Sequence, residues 1–359
     1  MSTDATASAV DGVDGQIAWT VPLGKRKVDG SASRGVSVRA ACTGQPDGQW
    51  LIRRFGFCLE AGVTYTARDV RTQLPVGGAS FVITQSTELD GVSTDWTEHV
   101  SLHMVEGSTW GVVGAMTATW SARCDSDCEE LQDEPFPAGT PIVPGETLTG
   151  DFVFQDPQPV RGGADAFSPF YTLELVSPGS LGDEPLLYEG PQMRCDFQVG
   201  TTAGCIVNEY TPTFNVDAVA FPLAAAGVRW AQGNLPNHPG LEGEGAPVNR
   251  LANVSAQQAN RRRICQTGWT PLTTVVDDSC DEFPFAATTQ GGSMAGPDCA
   301  EIVPLADGSV TVRRDVSSVT TCVRAHVPKS QNTDVGGDLG QWVQEQRIVD
   351  NEEYWVSTF

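Results

Sequence analysis

The sequence predicts an all-β, sandwich-like N-terminal domain followed by an α+β C-terminal domain. Three observations carry this expectation. Early segments such as Val63-Thr64-Tyr65-Thr66 and Met116-Thr117-Ala118-Thr119-Trp120 alternate apolar and polar residues with period two, so one face of each is buried. Gly, Asp and Pro clusters separate these runs at the spacing of a two-sheet fold. After Tyr210 the texture changes, and apolar residues at helical spacing appear between short strand-like runs. The expected boundaries are a disordered segment at 1–14, a β domain over 15–207 and an α+β domain over 208–359. A chain of 359 residues is long enough for two cores.

In the first half, Val36-Ser37-Val38-Arg39 adds a further alternating run. Residues 124–150 are acidic, then rich in Pro and Gly, and read as a long loop. Strands resume at Asp151-Phe152-Val153-Phe154 and Tyr171-Thr172-Leu173-Glu174-Leu175, and Cys195 to Cys205 reads as a stapled hairpin. In the second half, Ala218-Val219-Ala220-Phe221 reads as a strand and Leu223 to Gln232 as a helix ended by Gly233. Ser255 with Gln258 gives a capping-box start to a helix reaching about Cys265. Asp307-Gly308 between Ile302-Val303-Pro304-Leu305 and Val310-Thr311-Val312-Arg313 marks a hairpin. Leu339, Trp342, Val343 and Gln346 follow helical spacing, and Tyr354-Trp355-Val356 closes as a strand.

A net charge of −23 argues against a general nucleic-acid-binding surface, because phosphate neutralisation recruits Lys and Arg. A local positive stripe with a cation is still compatible with it. Ten cysteines, with no C-x-x-C pair, favour disulfides in an oxidising compartment. Sequence does not fix connectivity. Neighbours make natural pairs: Cys42–Cys58, Cys124–Cys128, Cys195–Cys205, Cys265–Cys280 and Cys299–Cys322. A zinc site of His99, His103, Cys124 and Cys128 is the weaker reading of those four residues. The start, MSTDATASAVDG, has neither a basic nor an apolar leader region, and no apolar run is long enough to span a bilayer. The expectation is a secreted, extracellular protein, exported after leader removal or by a route that uses none. It is expected to be monomeric and without a membrane partner.

Chemistry concentrates in Cys280-Asp281-Glu282-Phe283-Pro284-Phe285-Ala286. Two adjacent acids lie between a cysteine and an aromatic-Pro-aromatic clamp. Buried carboxylates are costly unless a cation, a donor or a base partner compensates. In an ideal strand the two acids face opposite ways, so both serve one site only if Pro284 and its turn bend the chain. Arg261-Arg262-Arg263 supplies local positive charge. Asn332 and Gln341 are neutral oxygen donors suited to a hard cation, although Asn332-Thr333-Asp334 also reads as a helix N-cap and Gln341 lies on a polar helix stripe.

Taken in order, Asn237-His238-Pro239-Gly240, Arg250, Arg261-Arg262-Arg263-Ile264-Cys265, the acidic block with Gln290-Gly291-Gly292, Ser330-Gln331-Asn332, Gly336-Gly337-Asp338-Leu339-Gly340 and Arg347-Ile348-Val349-Asp350 resemble the NucA/NucB deoxyribonucleases. The resemblance covers roughly residue 208 onward. Gln290 departs from the carboxylate that small members carry before the glycines. The resemblance implies metal-dependent hydrolysis of DNA phosphodiesters on a core where a hairpin and a helix flank Mg²⁺ or Mn²⁺. Within it, Asp281 is the expected general base, ionised at neutral pH if its pKa is ordinary. Glu282 is a catalytic carboxylate that also binds metal, and Asn332 and Gln341 are further metal ligands. Arg250, Arg261, Arg262 and Arg263 are the expected DNA contacts, and His238 stabilises a leaving group or orients DNA. Cys265–Cys280 would lock the arginine helix to the acids. The first domain has no counterpart in those small enzymes and is assigned a targeting ligand, an inhibitor or a stabilising role. The rival expectation is a non-catalytic extracellular adhesion or carbohydrate-binding protein with an inactive nuclease-like domain.

Overall fold

The structure, a computed structural model, describes residues 12–27, 42, 47–124, 128–157 and 159–359. Its contacts divide the chain into two units, one ending at Tyr210 and one running Thr211–Phe359. The fold is mostly β with few helices. No helix among the described residues is long and apolar enough to cross a membrane. All five expected cysteine pairs are disulfides.

In the first unit a ten-stranded and a four-stranded sheet contribute to one core. The long strands Gly56–Asp69, Pro75–Glu88, Asp95–Met104 and Thr147–Gln155 lie antiparallel side by side. Their inward residues meet those of Met116–Cys124 and Pro169–Val176, with Trp120 edge-on to Phe152 at 5.8 Å. A buried carboxyl ties the two sheets. Glu98 accepts from Gln85 Nε2 (2.6 Å), Tyr171 OH (2.6 Å) and Trp96 Nε1 (3.2 Å), and Tyr188 OH donates to Gln85. Burial raises the pKa of Glu98, and these donors only partly offset it. Its folded pKa therefore lies above its unfolded value, so the folded unit holds the proton more tightly than the unfolded chain. The unit should lose stability as pH rises from the ordinary carboxyl range through the folded pKa. Calorimetry of wild type and Glu98→Gln between pH 5 and 9 checks this: the first unit's transition should fall with pH in wild type and stay flatter in the variant.

Several expectations are corrected here. Residues 1–11 and the Val36–Arg39 run lie outside the described residues, and a strand already begins at Val13. The expected loop over 124–150 contains the strands Glu129–Gln132 and Thr140–Ile142 and the start of Thr147–Gln155. Phe136 and Ile142 are buried in the core there, so apolar residues anchor a segment whose composition reads as loop. No zinc set forms. His99 bonds Asp151, His103 bonds Thr147 Oγ1, and both cysteines are oxidised.

The second unit contains, in order, β1 (Thr213–Asn215), α1 (Pro222–Asn234), β2 (Val248–Asn249), α2 (Val254–Arg261), β3 (Asp278–Phe283), β4 (Ala300–Pro304), β5 (Val310–Arg314), β6 (Val323–Pro328), α3 (Lys329–Glu345) and β7 (Glu353–Ser357). A four-stranded sheet runs β3–β6–β4–β5, with β4 and β6 parallel and the other pairs antiparallel. A smaller sheet runs β1–β7–β2. Val228 of α1 and Val335, Leu339 and Val343 of α3 share one core with Phe283, Ile302, Val323, Ala325 and Val327 of the larger sheet. The strand expected at Ala218–Phe221 is a turn, because Asp217 Oδ1 accepts from the amides of Val219 and Ala220. Helix α1 continues through Gly233 to Asn234. The cap of α2 is Asn253, which accepts from Ala256 N, rather than Ser255.

Candidate active site

Strand β3 is an edge strand with β6 as its one neighbour in the sheet. Its register pairs Asp281 with Ala325 and Glu282 with Arg324. Side chains alternate along a strand, so the two acids turn to opposite faces. Pro284 falls after the strand ends and does not bring them back together. Asp281 shares its face with Ser279 and Phe283, on the side covered by α1 and α3. Glu282 shares its face with Cys280, beneath the turn that follows α2.

The two carboxylates live in different surroundings. Glu282 is 6% exposed and well partnered. It accepts from Arg261 Nε at 3.4 Å and from the amides of Glu282 and Ala286, and Cys265 Sγ lies 3.4 Å away. Burial raises its pKa, and Arg261 and those amides pull it back. Asp281 is partly exposed, and its carboxylate receives no hydrogen bond among the described residues. Desolvation, then the negative charge of Glu282, pushes its pKa up to about 8, with Arg261 opposing. This corrects the expectation of an ordinary pKa: without a cation, Asp281 is largely protonated at pH 7.

Asn332 is a residue of α3, not its cap. The helix starts at Lys329 behind Pro328, with no side-chain cap. Its Nδ2 donates to Cys280 O at 2.7 Å and to Ser279 Oγ at 3.0 Å. A carbonyl oxygen can only accept, so the nitrogen must point at Cys280. The Oδ1 of Asn332 therefore points elsewhere, and it accepts no hydrogen bond among the described residues. The preceding residue, Gln331, caps α1 from across the fold: its Oε1 accepts from Leu223 N and Ala224 N, where α1 has no side-chain cap of its own. One turn of α3 thus fixes both α1 and β3. Gln331 falls within the Ser330-Gln331-Asn332 element of the family resemblance without a role assigned to it, and nothing local marks Ser279.

Other expected site residues fall elsewhere. Gln341 is exposed, pairs with Glu345, and lies nine residues beyond Asn332, about 13.5 Å along the helix axis, too far to share an ion with it. His238 Nδ1 bonds Gln232 O at 2.7 Å, in the loop whose Gly240 pairs with Val356 of β7. Arg250 hydrogen-bonds Ile348 O and is built into that loop layer. Gln290 is spent on Asn249, accepting from its amide N–H and donating to its Oδ1. Arg261, Arg262 and Arg263 are exposed at the end of α2 and the start of a π-helical turn, Arg262–Gln266. Cys265–Cys280 ties that turn to β3. With both sulfurs oxidised, Cys265, Cys280 and Glu282 do not form a thiolate metal site, although their ligand atoms are close.

Residues 234–357 match the family model of the deoxyribonuclease NucA/NucB, and no family model matches the residues before them. No curated protein matches the chain.

Proposed function

We propose that the second unit, which carries this NucA/NucB deoxyribonuclease domain, hydrolyses DNA phosphodiesters with a divalent cation and Asp281 as general base. The observation that carries the reading is the state of Asp281: a desolvated carboxylate with no donor, one residue along β3 from the carbonyl that holds Asn332, whose amide oxygen is also unspent. Elsewhere in this unit, the buried Glu282 and the half-buried Glu301 are both paired. Hard oxygen donors of this kind fit Mg²⁺ or Mn²⁺, with Asn332 Oδ1 as ligand and water completing the shell. When bound, the cation would neutralise charge on the phosphorane-like transition state and acidify the attacking water.

The chain's own residues do the rest. Asp281 takes the water proton, and a pKa near the working pH suits that task. Arg261 reaches the same region from the other face and can pair with a phosphate oxygen. Glu282 holds Arg261 and the Ala286 turn in place and is assigned a positioning role in place of metal binding. The disulfides fit a secreted protein, and the first unit is assigned an accessory, sandwich-like role outside the chemistry.

Plasmid digestion tests the reading, using the full chain and residues 211–359 alone. Both should nick and then linearise DNA with Mg²⁺ or Mn²⁺, stop in EDTA, and resume when the cation is restored. Cleavage that persists in EDTA removes the cation from the account. A correctly oxidised, folded chain that cuts nothing overturns it.

A further inference from the structure

On the Glu282 face the four strands carry one cross-strand row: Glu282 of β3, Arg324 of β6, Glu301 of β4 and Arg314 of β5. A β-bulge interrupts this row at its outer edge. Glu301 pairs with Arg314, whereas Ile302 pairs with Val312, so Arg313 is an extra residue. Consecutive strand residues normally face opposite ways, and a bulge re-aims one of them. Here Arg313 Nε reaches Glu301 Oε1 at 2.9 Å, while Arg314 Nη1 lies 3.6 Å and Arg324 Nη2 2.5 Å from Oε2.

One carboxylate thus sits under three guanidiniums. Arg324 is buried and spends its donors on Glu301 and on the carbonyls of Ile264, Thr267 and Gly268. The side chains of Arg313 and Arg314 are 47% and 42% exposed, so the surplus positive charge faces water. The Nη groups of Arg313 make no hydrogen bond among the described residues, nor do the side chains of Arg262 and Arg263. Arg314 Nη1 also donates to Gly296 O and Cys299 O. A Cβ at Gly296 would lie 1.9 Å from Ile264 O, so the Gly296 turn packs directly on the turn bearing Arg262 and Arg263. The Arg314 side chain and the backbone turn bearing Arg262 and Arg263 therefore meet the same Gly296 turn. Asp298 and Asp315, the acids nearest along the chain to Gly296 and Arg314, are both exposed. Two exposed arginines aimed at one acid are unexpected in a unit with 10 Lys and Arg against 17 Asp and Glu, unless an anion is to meet them.

We propose that Arg313 and Arg314 extend the Arg262–Arg263 surface into a track for the DNA backbone, binding phosphates beyond the one being cleaved. The proposal rests on the nuclease reading for its ligand but not for its test. The probe is a labelled 20-base-pair duplex, bound in EDTA so that no cleavage occurs, between 50 and 200 mM salt. Each phosphate contact contributes about 0.9 to the slope of log K against log salt. Arg313→Gln/Arg314→Gln should reduce that slope by about 1.8, so wild type should lose about 12-fold more affinity across this range than the variant. Hydrolysis of bis(p-nitrophenyl) phosphate with Mn²⁺, which needs no track, should be unchanged. A merely structural role would instead lower the melting temperature and the small-ester rate while leaving the slope alone, and that result overturns the proposal. If the double variant unfolds, Arg313→Gln alone should reduce the slope by about 0.9, and an unchanged slope there is equally decisive against it. Wild type that binds DNA with the steep slope yet hydrolyses neither substrate sinks the nuclease reading while leaving the track in place.

Discussion

Asp281→Asn should lose about 10²–10⁴-fold in turnover, the usual worth of general-base catalysis, while folding more stably than wild type at alkaline pH. Asn keeps the shape of the side chain but cannot take a proton. The stability half follows from the raised pKa. Its folded pKa of about 8 lies above the ordinary carboxyl value of 3.8, so the folded state binds the proton more tightly than the unfolded chain. The destabilising contribution of Asp281 therefore grows as pH rises from about 4 to about 8 and is fully present above that. Discounted for partial exposure, it is about 1–3 kcal/mol. Thermal melts of the metal-free proteins at pH 4, 6 and 9 should show no gain for the variant at pH 4, a partial gain at pH 6 and the full gain at pH 9. Wild-type cleavage should rise with pH along a single limb, shifted below 8 where a cation favours the ionised form, and the variant should lack that limb.

Arg324→Met should cost the second unit about 3–5 kcal/mol, because it breaks a buried ionic cluster by removing one member. Arg324 is 1% exposed and holds Glu301, three carbonyls of the 264–268 segment, and the face of Trp269 at 5.5 Å. Trp269 in turn stacks on His326, itself bonded to Asp278 of β3. The variant should therefore unfold at lower denaturant and lose Trp269 order first, whereas the first unit's transition should not move. An unchanged midpoint for the second unit would show that Met packing makes good the lost cluster.

What the sequence displayed well was local. The alternating strands, the Asp307-Gly308 hairpin, the arginine-rich helix end and the five nearest-neighbour cysteine pairs all involve residues close along the chain. The period-two rule also separates Asp281 from Glu282, and only the supposed bend at Pro284 argued otherwise; the strand stays regular to Phe283. Asn332-Thr333-Asp334 looked like a cap because those residues commonly are caps. Here the helix begins three residues earlier, and Asn332 reaches a neighbouring strand instead. The charge row from Glu282 to Arg314 depends on which strands pair, including the parallel β4–β6 pair, and no local pattern reveals it. The raised pKa of Asp281 comes from burial, which composition does not show.

The central claim is that the chemistry lies with Asp281 and Asn332 on one face of β3, and that Glu282 on the other face only positions. Single-turnover DNA cleavage across a Mn²⁺ titration, for Asn332→Ala and Glu282→Gln beside wild type, tests it most directly. The account predicts that Asn332→Ala needs at least 10-fold (~1.4 kcal/mol) more Mn²⁺ to reach half its maximal rate, while Glu282→Gln keeps the wild-type midpoint. The reverse pattern, a shifted midpoint for Glu282→Gln and none for Asn332→Ala, would place the cation on the other face and contradict the account.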